Sequence, residues 1–350
     1  MEKKEFSGNI FIFQAFDVGD DIDLERIEKE QVLHTQPLQL PKYFKNYHQP
    51  LPIELPHPHE TSAYFSSKLE NFGTISLTYK IPFTKTLEDL RSEVDHIYDK
   101  YQEQSVTDAH TIFNKIEKFI KKPKFFHLRT SYVVIQLDVI KEMDAQKFKE
   151  SFGNTLTSLV RFETEMLSEQ QRKEIINNAI DYYRGELVIV GSEVSFVYDD
   201  EYENLLDLFE FSNIQHLELM YFDQLLAARL NQLYERKTKL ISKRQILPFM
   251  SLPHSPVADL GRLKVDISVI TEQLQGSIML ANEPYLTKIY EKLSEKLALE
   301  GWKSSINNKL EIIKGISAVY YNRLETVRSE ILEVLIIILI FIELILGIFK

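Results

Sequence analysis

Short apolar and alternating runs dominate the N-terminal half of the chain, and they predict β-strands with at least one buried face. The clearest runs are Asn9–Phe16, Thr74–Ile81 and Ser131–Ile140, the last of which is the longest. Glu186–Tyr198 contains two further runs joined at Gly191-Ser192, which predicts a β-hairpin. Segments of helical character lie between these runs. The pattern therefore predicts a mixed α and β region.

A longer helical period follows the hairpin. Apolar residues keep this period from Leu205 to Arg236, and four polar residues are embedded among them, namely Gln215, Glu218, Tyr221 and Asp223. Polar groups inside an apolar helix usually form hydrogen bonds with neighbouring elements. The same four residues could instead form a surface that binds a protein partner, and the sequence leaves both interpretations open.

A heptad pattern governs the C-terminal region, where apolar residues recur alternately four and three residues apart. The seam consists of Ile306, Leu310, Ile313, Ser317, Tyr320, Leu324, Val327, Ile331, Val334, Ile338, Phe341 and Ile345. A period of 3.5 residues favours left-handed packing of helices, either within one chain or between copies. We therefore expect a helical stalk and a homo-oligomer.

The segment 331–349 is almost wholly apolar and lies at the end of this seam. As a helix it would measure roughly 28 Å, close to the hydrocarbon thickness of about 30 Å. It predicts a single transmembrane helix, a tail anchor in the lipid bilayer. Glu333 lies near its start, and Glu343 would lie inside the apolar zone, where a carboxylate either meets a partner or is protonated near the headgroups.

Basic residues precede this segment, while Lys350 alone follows it, so the positive-inside rule places the large N-terminal part in the cytoplasm. The predicted location is the inner (cytoplasmic) membrane. The predicted fold class is α+β. We expect an N-terminal α/β region at 1–130 with a Pro-rich connector at 36–60, an α/β core at 131–255, a helical stalk at 256–330 and an anchor at 331–349.

Composition and motifs limit the kinds of partner and reaction expected of this chain. The net charge of −11 disfavours a general nucleic-acid coat, although association with ribosomes stays open. The 350 residues contain no cysteine, which excludes disulfides and thiolate catalysis. No phosphate-binding glycine loop, nucleophile elbow or zinc-protease motif is present, and we predict neither a cofactor nor an enzyme.

One cluster of carboxylates supports a catalytic alternative. Asp199, Asp200 and Glu201, together with His216, could hold a hard cation in a metal-dependent hydrolase. The same acidic residues could instead cap the following helix and match the charge of its N-terminus.

The C-terminal half resembles a known family in three blocks: Leu208–Asp223, Glu283–Leu297 and the apolar ending from Ile331. It is similar to the required-for-meiotic-nuclear-division family, in its bacterial membrane-anchored branch. The resemblance implies a membrane protein that assembles with itself and acts as a scaffold or tether, and it carries over no catalytic residues. The predicted function is a self-associating scaffold whose α/β region binds a protein partner.

Overall fold

The structure is a computed structural model that describes residues 4–36, 50–54, 63–125, 128–140, 143–162, 167–181, 185–235 and 283–348. Its strands are β1 (Phe6–Asp17), β2 (Asp21–Ile22), β3 (Leu51–Ile53), β4 (Tyr64–Glu70), β5 (Thr74–Lys85), β6 (Ile120–Lys121), β7 (Arg129–Leu137), β8 (Leu187–Val190) and β9 (Val194–Tyr198). Its helices are α1 (Leu24–Lys29), α2 (Leu87–Ile116), α3 (Ala145–Val160), α4 (Glu169–Asn177), α5 (Glu203–Glu235), α6 (Pro284–Lys296) and α7 (Leu299–Ile348).

Seven strands form one sheet in the order β3-β4-β5-β1-β7-β9-β8, so the first strand of the chain lies at its centre. All neighbours are antiparallel except β7 and β9, which are parallel. The predicted mixture of strands and helices is therefore confirmed. The sheet continues across the predicted domain boundary at residue 130, and β3 lies inside the predicted connector 36–60. Pro52 is tolerated there because β3 is an edge strand.

One face of the sheet carries the main hydrophobic core. Alternate residues of β1, among them Ile10 and Ile12, point to this face together with their cross-strand partners Ile135 and Val133 on β7. Helices α2 and α3 cover it. The N-terminus of α3 is fixed by Asp144, whose carboxylate accepts a hydrogen bond from the Lys147 backbone N–H at 2.9 Å.

The opposite face of the sheet is covered by α5 and is far more polar. Side chains of β4 and β5 form hydrogen bonds and an ion pair with carboxylates on α5. This polar contact is the main feature that sequence patterning did not predict, because the alternation along each strand shows only that one face is less apolar than the other.

The described residues fall into two compact units. The first holds the sheet, its covering helices up to Tyr221 of α5, and the described residues from 283 to Glu300. The second holds Phe222–Glu235 of α5 and Gly301–Ile348 of α7. The described residues of the second unit are all helical, as the sequence predicts for the C-terminal region. The predicted boundary at residues 255 and 256 lies outside the described residues.

Among the residues described, no helix combines the length and the apolar character needed to cross a membrane. The predicted transmembrane helix 331–349, the tail anchor and the single-pass inner-membrane location are therefore wrong. The apolar run is the end of the 50-residue helix α7. It is interrupted by Glu333 and Glu343, both exposed, and a carboxylate inside hydrocarbon costs several kcal/mol or more.

Candidate functional site

The α5-facing side of the sheet carries a buried polar layer built from neighbouring strands. Cross-strand pairing places Asp17, Thr74 and Glu70 in one row across β1, β5 and β4. The next row on the same face contains Ser76 and Lys68, which are also direct partners. Side chains two residues apart on a strand share one face, so both rows face α5.

The second row carries the cation Lys68, whose side chain is 20% exposed and pairs with Glu210, which is 6% exposed. Lys68 Nζ lies 2.5 Å from Glu210 Oε2 and 3.4 Å from Asp207 Oδ1, while Ser76 Oγ donates to Glu210 Oε1 at 2.7 Å. Burial lowers the pKa of Lys68, but attraction to Glu210 and Asp207 outweighs that effect and raises it overall. Lys68 therefore stays positively charged and links β4 to α5 through its ion pair.

The first row forms an acid cluster, which we define as Asp17, Glu70, Thr74 and Glu218. Glu218 projects from α5 and accepts a hydrogen bond from Thr74 Oγ1 at 2.9 Å. Its other oxygen, Oε2, is buried and has no hydrogen-bond partner among the described residues. The exposed fractions of Asp17, Glu70 and Glu218 are 4%, 1% and 2%. Three carboxyl groups thus share a site with almost no access to water.

Burial controls the titration of this cluster. It raises the pKa of Asp17 to about 7, and the neighbouring Asp20 adds to this while Lys124 opposes it. Burial also raises the pKa of Glu218 well above its usual range; the Thr74 hydrogen bond opposes this, and the charges of Asp17 and Glu70 reinforce it. Burial therefore favours the protonated form of Glu218.

The predicted partner residues Gln215, Glu218, Tyr221 and Asp223 are mostly engaged within the protein. Gln215 is fully buried and its Oε1 accepts from Tyr290 Oη at 2.8 Å, while Tyr221 Oη donates to Asp20 Oδ1 at 3.0 Å. These contacts confirm the internal hydrogen-bond network that the sequence left open. Gln215 and Glu218 are too buried to contact a partner.

Asp223 belongs to the second unit, where it joins the end of α5 to the start of α7. Its Oδ1 accepts a hydrogen bond from Ser305 Oγ at 2.6 Å and forms an ion pair with Lys309. Buried apolar residues flank this contact on both helices. They are Phe222, Leu226 and Leu230 on α5 and Ile306, Leu310 and Ile313 on α7.

The carboxylates of the predicted metal site form internal hydrogen bonds instead. Asp199 Oδ1 accepts from the Glu201 backbone N–H at 2.8 Å, and its Oδ2 accepts from Tyr285 Oη at 3.3 Å. Asp200 Oδ1 accepts from the Val139 backbone N–H at 3.2 Å. Throughout the described ranges, no group of three or more His, Asp or Glu side chains could hold a metal ion. The hydrolase alternative, which also required His216, gains no support here.

A half-buried carboxyl group, that of Glu186, interacts with Asp199. Burial raises the pKa of Glu186 to about 7, and the charges of Asp199 and Glu201 contribute. Tyr285, in the first turn of α6, binds Asp199 and has a raised pKa because of burial and these carboxylates. This small cluster links α6 to the end of the sheet, and it is a structural contact of the first unit.

The predicted heptad seam divides into two parts. Ile306, Leu310 and Ile313 are buried, whereas Ile331 is half-buried and Ile338 is 49% exposed. Glu333 and Glu343 are exposed as well. The structure does not describe the side chains of Tyr320, Leu324 and Val327. The start of the seam is therefore covered within the chain, and its end is not.

The end of α7 presents a large apolar surface. Every large apolar side chain from Leu332 to Leu346 is at least 40% exposed. A contiguous exposed surface of this kind marks a site of association, since isolated exposed apolar residues are normal but long clusters are not. We name this surface the apolar terminus, residues 332–346.

The comparisons with known proteins concern mainly the first unit. The family described as "Uncharacterized protein MJ0711, N-terminal domain" matches residues 7–203, from β1 to the first residue of α5. Uncharacterized protein MJ0711 of Methanocaldococcus jannaschii is 21% identical over 292 residues, which is 77% of this chain and 87% of that protein. No solved structure matches. The resemblance to the required-for-meiotic-nuclear-division family is not tested by these matches and stays a prediction. Because the matched residues are more than half of the 350, the chain belongs to the family of the MJ0711 N-terminal domain.

Proposed function

We propose that this protein is a self-associating scaffold, in which copies of the chain assemble through the apolar terminus of α7. The observation that supports this proposal best is the exposure of every large apolar side chain from Leu332 to Leu346. Exposing so much apolar surface is unfavourable, and covering it releases free energy in proportion to the area removed from water.

The heptad seam favours a second copy of the same helix as the partner. The seam runs from Ile306 to Ile345 without a change of period, and its first positions are already packed within the chain. Helices that repeat apolar residues every 3.5 positions pack against helices with the same repeat. The same segment of another copy meets that condition by symmetry.

The two carboxylates of the segment fit this arrangement. Glu333 lies two residues after Ile331, and Glu343 lies two residues after Phe341, so both point away from the seam. In a bundle of helices packed along the seam, both carboxylates stay in contact with water. Desolvation of these charges therefore does not oppose assembly.

In the proposed oligomer, the first unit would bind a protein partner. An oligomer displays several copies of the α/β unit, and a protein partner that engages two of them binds more tightly than through one unit. We propose that the α/β unit presents this binding surface. The interior contacts described above act structurally, and we assign no catalytic step to them.

A pair of matched variants tests the assembly. Ile338 lies on the seam and Ile336 lies on the opposite side of the helix, with exposed fractions of 49% and 55%. We expect Ile338→Asp to lower the mass measured by light scattering towards the single-chain value of 41.1 kDa. An unpaired carboxylate buried in a helix interface costs several kcal/mol.

Ile336→Asp is the control, because it adds the same charge to the same segment off the seam. It should leave the mass of the wild-type oligomer unchanged. Two results would contradict the proposal: a wild-type chain of 41.1 kDa, or an equal loss of mass in both variants. A wild-type monomer that co-sediments with lipid vesicles would show that lipid, and not a second copy, covers the apolar terminus.

A further inference from the structure

The acid cluster of the first unit supports a second proposal, which does not depend on assembly. Asp17, Thr74 and Glu70 are direct cross-strand partners on three adjacent strands, and Glu218 of α5 closes over Thr74. Neighbouring strands lie about 4.7–4.9 Å apart, so Asp17 and Glu70 are two strand spacings apart, and Glu218 lies at the Thr74 between them. Burial of these carboxyl groups opposes their ionisation, and the charge of each one adds to that effect on Glu218.

The described strands around the cluster contribute one charged side chain and several hydroxyl groups. On β4, Lys68 is already paired with Glu210 and Asp207 of α5, although it also interacts with Glu70. β5 contributes the neutral hydroxyls of Thr74 and Ser76. β7 contributes Thr130, whose hydroxyl donates to the backbone carbonyl of Asn213.

The loops around the cluster add charges of both signs. Asp20 follows β1 and forms an ion pair with Lys122 at 2.5 Å, and it also accepts the hydrogen bond of Tyr221. The charge of Lys124 lowers the pKa of Asp17, though less than burial raises it. Burial therefore favours bound protons on Asp17 and Glu218.

We propose that the acid cluster is a proton-operated latch, in which protons on Asp17 and Glu218 hold residues 203–221 of α5 against the sheet and their loss at higher pH loosens that helix. When the cluster is protonated, it is a set of hydrogen-bonding groups under α5. When it loses protons, adjacent negative charges repel one another in a site that water barely reaches, and the contact between α5 and β5 becomes unfavourable.

The sign of the pH effect follows from the raised pKa values. In the unfolded chain Asp17 ionises near its usual pKa of 3.8, and in the folded chain it ionises near 7. The stabilising effect of the proton is complete below 3.8 and is lost as the pH rises to about 7. Over that window one such carboxyl increases the unfolding equilibrium constant by up to about tenfold per pH unit. Glu218 acts in the same direction.

His216 on α5 has the opposite effect, because burial lowers its pKa and a rise in pH favours its neutral folded form. The test therefore compares variants and does not rest on the wild-type curve alone. Glu218→Gln keeps the oxygen that accepts from Thr74 and removes the charge. Glu103→Gln is the matched control on the exposed side of α2.

The experiment measures the urea midpoint of the full chain between pH 5 and pH 8. We expect the wild-type midpoint to fall as the pH rises, Glu103→Gln to fall equally, and Glu218→Gln to fall less and to exceed the wild type at pH 8. Asp17→Asn should flatten the curve in the same way, so the result does not depend on one variant folding well. A full wild-type slope in both Glu218→Gln and Asp17→Asn would overturn the proposal.

Hydrogen exchange in the wild-type protein locates the effect without any substitution. After correction for the intrinsic pH dependence of exchange, amides in residues 210–221 should lose protection between pH 5 and pH 8 before those of α2 do. Equal loss of protection in both helices would contradict a local latch, since it would report global unfolding.

Discussion

Lys68 is the residue on which the contact between β4 and α5 depends most. Replacing it with methionine keeps much of its volume but removes the cation from buried Glu210, which keeps the hydrogen bond from the Ser76 hydroxyl at 2.7 Å. Loss of one partner from a buried ion pair costs about 3–5 kcal/mol. We therefore expect Lys68→Met to lower the free energy of unfolding, measured in urea, by about that amount.

The control for this prediction is an exposed ion pair on α4. Lys173 and Glu169 lie 2.7 Å apart with side chains 71% and 73% exposed, and such pairs contribute about 0.2–1 kcal/mol. Lys173→Met should have a correspondingly small effect. The double variant Lys68→Met/Glu210→Gln should recover most of the lost stability, because it removes the more deeply buried of the two carboxylates that Lys68 pairs with. If it is no more stable than Lys68→Met, the ion pair is not the cause.

At the residue scale, the sequence identified Gln215, Glu218 and Tyr221 as polar residues inside an apolar helix. It did not identify the residues that they contact. Their positions inside an apolar helix favoured hydrogen bonding, and the structure shows such bonds. The acid cluster could not be predicted, because Asp17, Glu70 and Glu218 lie far apart along the chain. It depends on the register of three strands, which no local pattern specifies.

At the scale of elements, the central strand β1 requires a glycine near its start. A Cβ at Gly8 would lie 2.1 Å from the backbone carbonyl oxygen of Gln136 on β7. A real side chain there must push the two strands apart. We expect Gly8→Ala to destabilise the protein by about 1–3 kcal/mol in urea unfolding, the usual cost of overpacking.

Gly185 is the matched site for the same substitution. Apart from its chain neighbours, no heavy atom of the described residues lies within 4 Å of a Cβ built there, so Gly185→Ala should change stability by about 0.5 kcal/mol or less. Equal effects at the two positions would show that the close approach of β1 to β7 is not what constrains Gly8.

Local patterns predicted the main elements well. The apolar run from Asn9 became β1, Thr74–Ile81 lies in β5, and the hairpin at Gly191-Ser192 joins β8 to β9. In each case burial of one face enforces the period that the sequence shows. The order of strands was beyond prediction, because placing β1 between β5 and β7 requires pairings between distant segments.

The proline-rich connector contains a strand that the sequence did not single out. Its prolines indicated an extended connector, and within it Leu51–Ile53 pairs with Leu69–Ser67 as β3. Proline removes one donor, and an edge strand needs only one set of hydrogen bonds. An edge strand and an extended connector therefore have similar sequences.

At the scale of the whole molecule, the apolar terminus was recognised from sequence but given the wrong environment. Length and hydropathy indicated a transmembrane helix, whereas the described helices include none that could span a membrane. The seam signal and the membrane signal come from the same isoleucines and leucines. We interpret the apolar surface and its period as signs of a covering partner, and the chemistry of the surface does not distinguish helix from lipid.

The net charge of the chain also affects the stability of the proposed oligomer. The chain carries a net charge of −11, so copies repel one another at long range. Assembly through the apolar terminus must overcome this repulsion, and salt screens it over a distance of about 10 Å at 0.1 M. The oligomer should therefore become more stable as the salt concentration rises, as expected of contacts that are apolar and not ionic.

Disulfide cross-linking tests the central claim most directly, because the natural chain contains no cysteine and a single introduced thiol has no partner except in another copy. Cysteine at position 338 lies on the seam, and cysteine at position 336 lies opposite it. After mild oxidation of the purified full chain, Ile338→Cys should give a covalent dimer on a non-reducing gel, and Ile336→Cys should stay largely monomeric. Equal cross-linking at both positions, or none at either, would contradict assembly along the seam of α7.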